Sequence, residues 1–397
     1  MRDAPRPGGP VTTLHGMAWD HQRGIGCLRA VSAAYTATRP DLSITWDSRS
    51  LREFEDVPVA ELAARYDLVA MDHPYVGQAH ATSALVPLGE ILPAAVLEAQ
   101  RTASVGPSHA SYTWGGGQWA VAMDAAAQVS AYRPDLLAAL GWDAPPRSWD
   151  GVIELMEAMP AGRAVLPANP THLLCALLTL CSQEAGGRSG WLGPEGFDPE
   201  VAVPASERLL RLLALAGPSS LELDPIGVLD RMSGGDDVAY APIVFGYVNY
   251  ARPEAGRRGV RFAGIPSPDG GPAGSLLGGV GLAVSARSRE PEAAARFLEH
   301  VVGSACQRGE YVRSGGQPGN RDAWTDPAVD AANGGFFSGT LATLDRAFVR
   351  PRDPVYPLVH KRVGDELHRL AGAGAGAAEL AARASEVCAA TYAEHGR

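Results

Sequence analysis

Lysine is almost missing from this chain: Lys361 is the single one among 34 basic residues, so arginine carries the positive charge. Acidic residues number 44 and the formal charge is −10, with no basic run to interrupt the pattern. That balance excludes a nucleic-acid surface. Cysteine is scarce too. Cys27, Cys175, Cys181, Cys306 and Cys388 form an odd, scattered set without a CxxC pair, so they read as reduced core thiols rather than disulfides or a zinc motif. No apolar run reaches the length of a membrane span. Residues 1–10 read as a disordered lead and hold no apolar core of signal-peptide length. The expectation is a cytoplasmic protein without membrane insertion; a start further upstream that supplied an export signal would make it extracytoplasmic. Walker A, HExxH and GxSxG motifs are also missing. Gly278-Gly279-Val280-Gly281 opens no helix where a dinucleotide fingerprint needs one. What is present is an ordinary globular composition, 46% hydrophobic and 20% charged over 397 residues, long enough for two lobes.

Two Asp-His dipeptides organise the first third. Residues 13–19 and 66–71 read as buried strands ending at Asp20-His21 and Asp72-His73. Between them lie a helix over 24–38, a strand over 42–47 and a helix over 58–65. Such a β-α-β-α-β run makes a parallel sheet with right-handed crossovers. In doubly wound order its first and third strands are neighbours, which places both dipeptides at the carboxyl edge where α/β folds bind ligands. Pro74 keeps the strand from continuing past His73. Arg23 and Ser48-Arg49 belong to the same edge.

Further along, Gly115-Gly116-Gly117 between Trp114 and Trp119 suits a place where backbone approaches something closely. Residues 126–140 read as a helix, and Asp124 either ends the glycine-rich run before it or caps that helix; Ser148 caps another from Trp149. A helix over 173–184 is apolar all round, hence buried. Residues 203–216 read as a helix, 238–242 as a strand, 261–268 as a second crossing between lobes, 278–284 as a strand and 290–302 as a helix. A loop rich in Gly, Pro and Asn covers 314–325, and a terminal helical region over 358–395 is broken by the linker 371–376.

Several of these pieces, in order, resemble the family 1 extracellular solute-binding proteins, the maltose-binding type of ABC-transporter component. They are Trp114-Gly115-Gly116-Gly117-Gln118-Trp119 running to Asp124, then Ala131-Tyr132-Arg133-Pro134-Asp135-Leu136-Leu137, Pro145-Pro146 and Ser148-Trp149-Asp150. Gly278-Gly279-Val280-Gly281-Leu282-Ala283-Val284-Ser285 with Pro291-Glu292-Ala293-Ala294 follows, then Arg350-Pro351-Arg352 through Tyr356 into a terminal helix. The resemblance implies an α/β fold of two periplasmic-binding-protein-like (type II) lobes around a hinge crossed more than once. It divides the chain into an N-terminal lobe of 11–118 plus 266–303 and a C-terminal lobe of 119–265 plus 304–397. It also implies reversible, non-catalytic binding of a small polar ligand, a carbohydrate or hydroxylated acid, by a monomer that serves permease subunits of an ABC transporter when exported.

Asp20, His21, Asp72 and His73 can bind hydroxyls, since carboxylates accept and imidazole does either. On a cytosolic enzyme of the same fold, His21 or His73 would instead be the acid/base, with Arg23 or Arg49 holding an acidic substrate. Adjacent residues chelate poorly, so no metal is expected, and no cofactor either. The remaining candidate wall is aromatic, because the C–H face of a sugar packs on a ring: Trp19, Tyr75, Trp114, Trp119, Phe245, Tyr247, Tyr250 and Phe337, with Trp114, Trp119 and Tyr247 favoured by neighbouring glycines or Asn249. Asn249 faces the cleft beside Tyr247 in this scheme, and Gly278 and Gly279 offer backbone amides. The expected ligand contacts are therefore Trp19, Asp20, His21, Arg49, Asp72, His73, Tyr75, Trp114, Trp119, Tyr247, Asn249, Gly278 and Gly279.

Overall fold

A computed structural model describes residues 11–395 apart from 52, 54–56, 253 and 254; the ten-residue lead lies outside the described residues. Nine strands build its two main sheets. They are β1 (Thr12–Trp19), β2 (Leu42–Arg49), β3 (Leu68–Met71), β4 (Val121–Ala122), β5 (Ala126–Tyr132), β6 (Tyr240–Phe245), β7 (Arg261–Ala263), β8 (Leu277–Gly278) and β9 (Gly281–Val284).

The first sheet has the order β2-β1-β3-β9-β4. Strand β1 runs parallel to both β2 and β3, as the sequence implies, while β9 is antiparallel to its neighbours. Strand β3 is buried along its whole length, the mark of a strand covered on both faces. Gly16 on β1 is required by packing: a Cβ there would lie 2.4 Å from the Trp46 ring on β2. The helix after β1 starts as a π-helical turn, Gln22–Gly26, capped by His21, and continues as Cys27–Thr36.

The second sheet has the order β6-β5-β7, with β8 also on β5. Its central strand corrects the helix expected over 126–140. Ala126–Tyr132 is rich in alanine, a strong helix former, yet it is buried from Ala126 to Ala131 and paired antiparallel with three strands. Tertiary pairing overrides propensity here, and only Pro134–Ala138 is helical. Asp124 therefore caps nothing. Strand β6 extends beyond the expected 238–242 and shifts register between Ala241 and Val244, around Pro242, which has no N–H for the ladder. The expected cap at Ser148 is present, its Oγ accepting from the Gly151 N–H at 3.3 Å. Helix Pro170–Glu184 is buried from His172 to Cys181, and its Leu173, Leu177 and Leu180 share one core with Val359, Val363 and Leu367 of helix Tyr356–Gly372. Each such leucine contributes about 2 kcal/mol of burial.

The chain passes between sheets at the end of the Trp114–Asp124 run and at Gly278-Gly279, both marked as crossings by the resemblance, and not at 261–268. Residues 261–268 contain β7, which pairs with β5 and stays in the second lobe. The passage lies at Gly279, where positive φ (110°) separates β8 on the second sheet from β9 on the first. The run 278–284 is thus two strands in two sheets. The first passage falls between Ala122 and Ala126. A third follows Tyr311, which sits in the first lobe's core, and precedes Trp324 in the second. Sheet membership accordingly changes after residue 122 and after residue 278, not at 118/119 and 265/266, and Cys306 packs with the first lobe although 304–397 was assigned to the second.

Candidate functional site

A cavity of about 240 Å³ lies between the lobes. The first lobe supplies Trp19, the last residue of β1, and Asp72, Pro74 and Tyr75, which follow β3. The second supplies Thr171, His172 and Cys175 from the start of helix Pro170–Glu184, Phe245 and Tyr247 from the end of β6, and Arg350 and His360. Gly278, Gly279 and Val280 form part of the wall at the hinge. Lys361 is also on the lining; it is half-exposed, with Nζ 3.6 Å from Asp365 one turn further along its helix.

Asp72 carries the first wall. It caps the 3-10 turn His73–Tyr75, with Oδ1 accepting from the His73 N–H at 2.8 Å. Its other oxygen accepts from Arg350 Nη2 at 2.7 Å. Burial alone would raise its pKa, but Arg350 and the hydrogen bond with His73 outweigh burial and hold the carboxyl well below the usual range. Apart from Arg350 and Lys361, the second wall is built of aromatic rings and uncharged imidazoles. His172 Nδ1 lies 2.8 Å from Asn169 Oδ1, and burial together with Arg350 pushes its pKa down to about 3. His360, between Cys175 Sγ at 3.9 Å and the Tyr356 hydroxyl at 3.5 Å, is lowered to about 3 by the same two causes.

Arg23 ties the site to the hinge. Its Nε and Nη2 donate to the two Asp124 oxygens at 2.8 and 2.5 Å, Nη1 donates to the Gly246 carbonyl at 2.9 Å, and its guanidinium stands 4.5 Å from the Tyr247 ring centre. Both members of the pair are buried. Arg23 thus pairs with the residue in the first passage, not with Asp20 or Asp72.

Of the expected contacts, Trp19, Asp72, Tyr75, Tyr247, Gly278 and Gly279 line this cavity. The others do not. Asp20 is exposed beyond β1, and its N–H donates to the Arg49 carbonyl, which leaves both at the outer end of the β1–β2 pair. His21 caps the turn through Nδ1, accepting from the Arg23 N–H at 3.1 Å, and packs edge-on against Tyr247 with centroids 5.1 Å apart. His73 is fully buried inside the first lobe, its Nδ1 3.1 Å from Asp72 Oδ1. Neither histidine is placed to move a proton of a ligand held in the cavity. The glycines of 115–117 serve a turn: Gly115 and Gly116 have positive φ and close the hairpin in which Trp114 pairs with Gly117. Trp119 joins the first lobe's core. Trp114 lines a second cavity of about 530 Å³ beside the segment Arg350–Asp353 and the loop 187–192. Asn249 donates to the Gly315 carbonyl at 3.1 Å, and Phe337 is core.

Arg350, His172, His360 and Thr171 escaped the sequence reading. Arg350 stood in the quoted Arg350-Pro351-Arg352 motif, the one available signal, but its partner Asp72 is 278 residues away. Among the described residues no cluster of three or more His, Cys, Asp or Glu could hold a metal ion, and no helix is long and apolar enough to cross a membrane.

No family model matches the chain. A probable ABC transporter-binding protein of Deinococcus radiodurans is 27% identical over 286 residues, covering 67% of this chain and 66% of that protein, just under two thirds of its length. Among solved structures, maltose-bound MalE3 of T. maritima superposes with a TM-score of 0.80 at 18% identity, over 95% of this chain and 98% of the other. A solute-binding protein of Agrobacterium radiobacter in complex with ribitol gives 0.80 at 20% identity, over 96% and 100%. One of Agrobacterium vitis with bound D-mannitol gives 0.76 at 16%, over 97% and 98%. The chain has the two-lobed fold of the ABC-transporter solute-binding proteins and is similar in sequence to one such binding protein.

Proposed function

We propose that this protein is the binding component of an ABC uptake system, a monomer that closes its two lobes around a monosaccharide or polyol and presents it to permease subunits. The observation that carries this reading is the pairing of walls. Trp19 and Tyr75 from one lobe face the cavity with Phe245 and Tyr247 from the other, and polar groups of both lobes stand between them. Ring faces take the apolar C–H surface of a sugar, while carboxylate, imidazole and guanidinium groups take its hydroxyls. A volume of about 240 Å³ suits one sugar unit better than a long chain. The maltose, ribitol and D-mannitol held by proteins of the same fold support this ligand class. An uptake role places the protein on the outer side of the cytoplasmic membrane, which fractionation of the native cells checks.

The test is calorimetry and thermal shift with pentoses, hexoses, pentitols and hexitols. At least one should bind, and a ligand at 100 times its Kd should add about 2.7 kcal/mol of stability. A panel in which none binds or shifts the melting temperature sinks the reading.

A further inference from the structure

We propose that Asp72 is a specificity-determining residue: by occupying Arg350 it makes the cavity select uncharged polyhydroxylated ligands over sugar acids, and its loss opens Arg350 to a ligand carboxylate. This rests on the binding function proposed above and names its ligand class. Among the described residues, each cation on the lining already has a carboxylate partner. Arg350 holds Asp72 at 2.7 Å, Arg23 holds Asp124 at 2.8 and 2.5 Å, and Lys361 lies 3.6 Å from Asp365. His172 and His360 add no charge near neutral pH, because burial keeps both rings deprotonated. A carboxylate entering the cavity finds no uncompensated positive group. To reach Arg350 it must come within a few ångströms of the Asp72 carboxylate, and like charges held together in a desolvated site repel strongly. Hydroxyl groups meet no such barrier. They donate to Asp72 and accept from Arg350, whose side chains are 19% and 6% exposed.

Arg350 is also the one cation of the set whose partner lies across the cleft on the first lobe and itself lines the cavity. Asp124 is not on the lining, so of the Arg23 pair only the guanidinium reaches the cavity wall, with its carboxylate behind it. Asp72→Asn therefore changes the charge seen by a ligand while keeping an oxygen to accept from the His73 N–H.

Binding is measured by calorimetry with matched pairs on one carbon skeleton: glucose and glucuronate, xylose and xylonate, mannitol and mannonate. For wild type, the neutral member of a bound pair should win by about 100-fold, the scale of a buried like-charge contact. Asp72→Asn should shift that ratio toward the acid by about 10-fold or more, and adding Arg350→Gln should abolish the gain. Acid binding within about three-fold of the neutral partner in wild type overturns the inference and leaves the binding function standing. So does an Asp72→Asn protein, folded by circular dichroism, whose ratio is unchanged. If wild type binds no sugar or polyol of the full panel, the proposed function falls and this inference with it; if it binds one outside these pairs, the pair is built on that skeleton. The wild-type comparison decides even if the variant fails to fold.

Discussion

Asp124 and Val280 exchange both backbone hydrogen bonds, at 3.0 and 3.2 Å, so two of the chain's passages between lobes meet as a short antiparallel ladder at the hinge. The third is laced to the same place, with the Gln317 side chain donating to the Ala125 carbonyl at 2.7 Å and the Ala125 N–H donating to the Gln317 carbonyl. Beside the ladder is Gly279, and a Cβ there would lie 2.5 Å from the Asp124 carbonyl oxygen. Its φ of 110° is itself strained for any other residue.

Gly279→Ala should therefore destabilise the fold by about 2 kcal/mol, the cost of forcing an L side chain into such a conformation. Because Gly279 also lines the cavity, affinity should fall as well. Urea unfolding gives the first quantity and ligand titration the second. A variant as stable as wild type would show that the hinge backbone relaxes freely.

Removing one member of the buried Arg23–Asp124 pair leaves the other charge alone in a dry site. Arg23→Met should cost about 3–5 kcal/mol. The double change Arg23→Met with Asp124→Leu should recover part of that loss, because no unpaired charge remains. A double-mutant cycle by urea denaturation measures the coupling, and strictly additive effects would argue against the pair as the source.

Histidine burial predicts the acid side of the stability profile. His73 and His172 are 0% and 3% exposed, and burial with Arg350 beside them lowers their pKa values to about 4 and about 3. In the unfolded chain they titrate near 6.5. The unfolded state thus binds protons that the native state refuses. Their contribution is complete above pH ~6.5 and is lost as pH falls toward 4, at about 1.4 kcal/mol per pH unit for each ring. Asp72 acts in a separate window: its lowered pKa gives stability that is present above pH ~3.9 and lost only below that. Urea midpoints from pH 7.5 to 4.5 should fall steeply below 6.5, and His172→Gln should flatten the slope.

Much of the first lobe was legible because its signals are local. Strands β1 and β3 are apolar runs ended by Asp, and their neighbourhood follows from doubly wound order, so Trp19, Asp72 and Tyr75 could be placed at the edge where the cavity lies. What failed was direction at single residues. Asp72 and His73 are adjacent, yet the capping turn sends one carboxylate to the cavity and the next ring into the core. Strand β5 was missed because alanine favours helix, and only the three strands beside it decide otherwise. Arg350 was missed as a contact because nothing near it in sequence points to Asp72.

The two tryptophans around the triple glycine provide a last discrimination. The motif made Trp114 and Trp119 natural ligand platforms, but Trp119 is 6% exposed in the first lobe's core and Trp114 faces the second cavity. Tyr75 and Phe245 line the central one, from opposite lobes. Truncating either ring removes stacking area without deleting a charge, so Tyr75→Ala and Phe245→Ala should each weaken ligand binding about 10-fold, the equivalent of an aromatic contact worth near 1.4 kcal/mol. Trp114→Ala should leave affinity within about two-fold, since its ring lies outside that cavity. Titration of all three with one sugar or polyol separates the cavities. A large loss at Trp114 with none at Tyr75 would move the ligand to the other side of the Arg350–Asp353 segment and make the second cavity the binding site.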